Sequence, residues 1–149
     1  MGLEEHELRM WVRGVGGGRA SRRQFIRIML GLGLAGPLIA EVLAMVERIG
    51  AGYYEAELHR LNGELLLMQG GGKRQCDAEA SFHRAIELAR RRSAKSFELR
   101  AVTSLCRLWQ RQSRHAEARR CLRETYDWFT EGFDTADLRE ANALLEGLS

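Results

Sequence analysis

The sequence predicts an all-α fold of tandem helical hairpins, and three observations carry that expectation. Ala78, Phe82, Ala85, Ile86 and Ala89 fall at i, i+4, i+7, i+8 and i+11, and Ala118, Leu122, Thr125, Tyr126 and Phe129 repeat the same offsets. That period belongs to one buried stripe of a helix. A second apolar stripe lies upstream of each: Tyr54, Leu58, Leu61, Leu65 and Met68 before the first, and Leu99, Val102, Leu105, Cys106 and Trp109 before the second. Finally, a single proline and few β-branched runs in 149 residues leave little material for a sheet.

Taken in order, the chain opens with a polar, Gly-rich leader, Met1 to Ala20, in which Gly14, Gly16, Gly17 and Gly18 are closely set. The N-myristoylation pattern fails because His6 stands where Ser or Thr is required. Next come Ser21-Arg22-Arg23-Gln24-Phe25-Ile26-Arg27 and an uncharged Leu- and Gly-rich run from Ile28 to Ala40. A cationic segment, an apolar run too short to span a bilayer and a candidate cleavage point after Val42-Leu43-Ala44 are the parts of a twin-arginine export signal. Ser21, Arg22, Arg23 and Phe25 are its motif residues. Glu5 through Leu34 resembles the signal segments of substrate-binding proteins of bacterial peptide ABC transporters, but none of their binding domain follows.

Inside the same run, Gly31-Leu32-Gly33-Leu34-Ala35-Gly36 matches G-x-G-x-x-G. A dinucleotide site needs that motif between a strand and a helix, and nothing downstream supplies a second strand. Gly70-Gly71-Gly72-Lys73 lacks the earlier Gly and the following Ser or Thr of a P-loop, so it is expected to be an interhelical loop. From Leu38 the register is helical: Ile39, Val42, Leu43, Val46 and Ile49 share a face and Gly50 ends it. The leader is therefore set at residues 1–37 and the helical domain at 38–149. Cleavage after Ala44 would remove the first of these helices.

The expected body has helices over about 53–69, 77–94, 97–112, 115–131 and 135–147, with Asp134 or Thr135 capping the last. Leu138, Ala141, Leu145 and Leu148 would close the end of the array. Trp128, Phe129 and Phe133 are expected to lock the final helix onto its neighbour.

The Ala-x3-Phe-x2-Ala of Ala78, Phe82 and Ala85 resembles the second helix of a tetratricopeptide unit, which implies a tetratricopeptide-like α-solenoid of about two and a half repeats. Its spacing to the second motif is 40 residues. That exceeds the usual period of about 34, which longer helices would explain. The segments Glu55 to Leu67, Ala85 to Arg90, Lys95 to Arg100 and Trp128 to Leu138 look like the C-terminal tetratricopeptide region of bacterial signalling proteins. Those proteins join a nucleotide cyclase-like or other regulatory domain to an AAA-type ATPase. The similarity runs from about Leu38 to Leu148. No cyclase or ATPase motif is present, so the resemblance implies only a binding or scaffolding role.

Charge and chemistry narrow the function further. The first 27 residues hold six Arg against three Glu, and the remainder balances 17 basic against 17 acidic side chains. No basic excess on the body argues against nucleic acid. Cys76, Cys106 and Cys121 form no C-x2-C pair, and His6, His59, His83 and His115 are scattered, so neither a metal nor a cofactor is expected. No catalytic residues and no small-molecule substrate are expected either. Arg90-Arg91-Arg92 reads as a solvated helix end.

Arg100, Arg107 and Arg111 lie together on a helical wheel, opposite the Leu99 to Trp109 stripe. The resemblance implies that the first helix of each pair lines a groove, making these arginines the candidate contacts for an acidic segment of a protein partner. The expected function is a non-catalytic interaction or scaffold module. The alternatives are a gene fragment without independent function and a nucleotide-binding protein. Two destinations compete: the leader implies export to the periplasm or the membrane with the twin-arginine machinery as a partner, whereas the C-terminal resemblance implies the cytoplasm.

Overall fold

The computed structural model describes residues 55–149. Over that span the chain is all-helical: α1 Glu55–Gln69, α2 Gly72–Arg91, α3 Lys95–Arg111, α4 His115–Tyr126 and α5 Ala136–Gly147, with no strand among the described residues. The leader, the motif residues Ser21, Arg22, Arg23 and Phe25, the Gly31 to Gly36 segment and the helix expected from Leu38 all lie outside the described residues.

Each helix packs against the next in sequence, and α3 also touches α1 and α5. Thus α2 contacts both α1 and α3, and α4 contacts both α3 and α5. This makes α3 the central element. Ala101, Val102, Thr103, Ser104, Leu105 and Cys106 are buried consecutively, so α3 is covered on nearly every side. The sequence pattern marked only one stripe of it.

The paired motifs form the core as expected. Ala78, Phe82, Ala85, Ile86 and Ala89 are buried on α2, and Ala118, Leu122 and Thr125 on α4. Phe82 is wholly enclosed. On α1 it faces Gly63, where a Cβ would stand only 2.5 Å from the phenyl ring. A bulky ring on one helix and a missing side chain on the other set the distance between their axes. On α5, Leu138, Ala141, Leu144, Leu145 and Leu148 close the core.

The turns follow from backbone chemistry. Ser93 has φ +53° and Ser113 φ +61°, left-handed values uncommon outside glycine. In the first turn the Ser93 amide donates to the Arg90 carbonyl at 3.0 Å and the Ala94 amide to the Ala89 carbonyl at 2.9 Å. The second repeats this with Ser113 to Gln110 at 3.1 Å and Arg114 to Trp109 at 2.8 Å. Both are Schellman closures, which satisfy the last carbonyls of a helix and reverse the chain within three residues.

Several boundaries differ from expectation. Gly70 and Gly71, with φ of +73° and +95°, complete the turn by themselves, so α2 starts at Gly72 and absorbs the residues expected in the loop. Helix α4 stops at Tyr126, five residues before its expected end. The Phe129 amide folds back to the Tyr126 carbonyl at 3.0 Å, and the Phe129 ring reaches the core from outside the helix. Trp128 and Phe133 are 58% and 46% exposed, which overturns their expected role as locks. Met68 is likewise exposed and leaves the stripe assigned to it. Thr135 takes the N-cap position of α5, but its hydroxyl donates backwards to the Gly132 carbonyl at 2.7 Å instead of capping. Among the described residues no helix is long and apolar enough to cross a membrane.

Candidate interaction surface

The three arginines expected to line a groove have different surroundings. Arg100 donates through Nε to Asp137 Oδ2 at 2.7 Å, and Arg107 pairs with Glu140 at 3.0 Å. Both acids belong to α5, which therefore occupies the flank of α3 where the arginines emerge. The Arg100 guanidinium also lies 5.2 Å from the centre of the Phe97 ring. Only Arg111, at the end of α3, is exposed and free of an ion pair among the described residues.

A second polar group spans α1 and α3. Arg60 is buried and donates to both Glu57 carboxylate oxygens at 3.0 and 2.9 Å. It also donates to Glu64 at 3.3 Å and to the Ser104 hydroxyl at 3.3 Å. The Ser104 hydroxyl in turn donates to Glu64 at 2.6 Å. Burial alone would lower the Arg60 pKa, but Glu57 and Glu64 outweigh it and hold the guanidinium charged. The i, i+3, i+7 spacing of Glu57, Arg60 and Glu64 was visible in sequence; the partner on α3 was not.

Two further knots tie helices together. Glu79 on α2 accepts from the Trp109 indole at 2.7 Å and from Arg114 at 3.0 Å, while the Arg114 guanidinium lies 4.6 Å from the indole centre. Burial would raise the Glu79 pKa, yet the hydrogen bonds from Trp109 and Arg114 bring it below the usual range. At the other end of α3, the buried Glu98 carboxylate accepts from Arg90 and Lys95, both at 2.7 Å. Burial opposes its ionisation, and the two cations more than compensate, so its pKa is also lowered. Arg90 stands 56% exposed in the last turn of α2, in keeping with a solvated helix end, and also pairs with Glu98. No buried side-chain nitrogen or oxygen among the described residues is left without a partner.

The cysteines are free thiols. Cys106 is buried on α3 and donates to the Ala118 carbonyl on α4 at 3.2 Å. A hydrogen bond with Cys121, together with burial, pushes its pKa up and keeps it protonated. His83 stands 6.0 Å from the Trp109 ring and 3.9 Å from Glu79, as a packing residue. No group of three or more His, Cys, Asp and Glu among the described residues is placed to hold a metal ion.

On the outer face of α4, an open cavity of about 660 Å³ is lined by His115, Ala116, Arg119, Arg120 and Arg123 together with Leu148 after α5. None of these arginines was singled out from the sequence. Their i, i+4, i+8 register from His115 was legible there, but the apolar wall at Leu148 comes from a different helix.

Comparison with known proteins returns no matching family model, no matching curated protein and no matching solved structure.

Proposed function

We propose that this chain is a non-catalytic protein-interaction module built from tetratricopeptide-like hairpins: α1 with α2, α3 with α4, and α5 as the closing half-unit. The observation that carries this reading is the packing order, with each helix on its successor and α3 also in contact with α1 and α5. An array of that kind presents faces to other chains and keeps its polar side chains for ties between helices. The pairings of Arg60, Glu79, Glu98 and Arg100 are ties of this sort. Its partner is a protein, or an acidic segment of one.

The test has two arms. Partners are identified by in-cell crosslinking, purified, and titrated against the full chain, with a micromolar or tighter Kd expected. Calorimetry with ATP, NAD and cyclic nucleotides is expected to give no heat of binding. Micromolar binding of any of these nucleotides, or no purified partner that binds, would overturn the reading.

For destination, we propose export through the twin-arginine route, supported by Ser21-Arg22-Arg23-Gln24-Phe25 and its apolar run. A reporter fused after Ala51 should be exported, and the Arg22→Lys/Arg23→Lys form should stay inside, because lysine keeps the charge but loses the planar guanidinium fork. Cytosolic retention of the unmutated fusion would reject it.

A further inference from the structure

The cavity on α4 has the makings of a recognition site that the groove arginines lack. His115, Arg119 and Arg123 stand at i, i+4 and i+8, so they form one row along the helix, and Arg120 stands beside it. Successive members of the row are about 6 Å apart, since a helix rises about 1.5 Å per residue. Arg119 and Arg120 make no ion pair among the described residues, and Arg123 reaches only Asp127, at 3.8 Å. No acidic side chain lines the cavity, whereas exposed Ala116 and the accessible edge of Leu148, otherwise a core residue, give it an aliphatic wall. Glu117 attracts Arg120, but Arg119 and Arg123 stand four residues apart on the helix, where like charges repel, and an anion laid between them would relieve that repulsion.

We propose that this cavity binds an extended acidic peptide segment, with carboxylates at alternate residues on the arginine row and an aliphatic side chain against Leu148. The assignment deepens the interaction-module reading and rests on it. Alternate residues of an extended chain recur about every 6.6–6.8 Å, close to the rise between successive members of the row. Arginine pairs with carboxylates through parallel N–H donors, a match of shape as well as charge. A single-stranded nucleic acid also carries anions at short intervals, but its binding sites use aromatic side chains on which bases stack. The lining here holds three arginines, a histidine, an alanine and a leucine.

The experiment is fluorescence anisotropy on the full chain. The probes are a labelled peptide with Glu at alternate positions and an adjoining Leu, the same peptide with Lys in place of Glu, and a single-stranded oligonucleotide. The acidic peptide is expected to bind and to weaken as salt rises. Arg119→Glu/Arg123→Glu should weaken it by about tenfold or more, the order expected for lost charge-assisted pairs. Arg119→Gln/Arg123→Gln should weaken it less while leaving the circular dichroism melt unchanged, which separates lost binding from lost folding. Arg107→Glu/Arg111→Glu should leave it unaffected. Loss only with Arg107→Glu/Arg111→Glu would move the site to α3, overturning this assignment while the module reading stands. Preference for the oligonucleotide, or no binding of the acidic peptide, would overturn it as well, and the partner titration above would then decide the module reading independently.

Discussion

Gly63 on α1 lies directly under the Phe82 ring of α2, and a Cβ at Gly63 would come within 2.5 Å of Cε1 and 2.8 Å of Cδ1. The ring is itself fully enclosed, so it has no room to swing away. Gly63→Ala should therefore destabilise the fold by about 1–3 kcal/mol through overpacking, despite the better helix propensity of alanine. Phe82→Ala should cost about 3–5 kcal/mol by leaving a cavity. Because the two sites share one space, the combination Gly63→Ala/Phe82→Leu should be less destabilising than the sum of its parts. Urea denaturation of the unmutated protein, Gly63→Ala, Phe82→Leu and their combination tests this, and strict additivity would show that the contact does not set the helix spacing.

The twin Schellman turns predict a gain. Ser93 and Ser113 hold left-handed φ values of +53° and +61°, where a Cβ is sterically disfavoured. Replacing either with Gly should raise stability by about 0.5–1 kcal/mol, after allowance for the larger entropy of Gly in the unfolded chain. Thermal melts of Ser93→Gly, Ser113→Gly and the double variant should rise stepwise, since the turns are separate. A fall in melting temperature would mean that the serine side chains have a role beyond the turn.

Acid should unfold the protein partly through Glu79 and Glu98. Both folded-state pKa values are lowered, Glu79 by Trp109 and Arg114 and Glu98 by Lys95 and Arg90, in each case against burial. A carboxylate with a depressed folded pKa stabilises the fold above its unfolded pKa of about 4.3. That contribution disappears as pH falls through the folded value. Glu98→Gln should thus lower stability at pH 7 by about 1–3 kcal/mol and flatten the loss of stability as pH falls below the unfolded value of about 4.3. Denaturant midpoints measured across that range check it; an unchanged acid limb would exclude Glu98 as a contributor.

The Arg100–Asp137 pair, at 2.7 Å, should couple α3 to α5. A double-mutant cycle with Arg100→Gln and Asp137→Asn should return about 1 kcal/mol, because both side chains are mostly buried and salt screens them poorly. Swapping the charges should recover only part of the loss. Asp137 sits in the first turn of α5, where an arginine would oppose the helix dipole. Full recovery would show that the dipole plays no part.

What the sequence determined by itself was local and periodic: helix over strand, and the faces that carry Ala78, Phe82, Ala85, Leu99, Val102, Leu122 and Leu138 into the core. A 3.6-residue period is a property of neighbours along the chain, so it can be read there. The tertiary structure decided everything that depends on two helices at once. Ser104 as partner to Arg60, Glu79 under Trp109, Asp137 across from Arg100, and Leu148 as the wall beside Arg119 all join residues far apart in sequence. Packing also overruled the stripe at both ends, releasing Met68 to solvent and ending α4 at Tyr126 so that Phe129 reaches the core from the turn. Periodicity ranks which face is buried, but it carries no information on where a neighbouring helix ends or which side chain that neighbour offers.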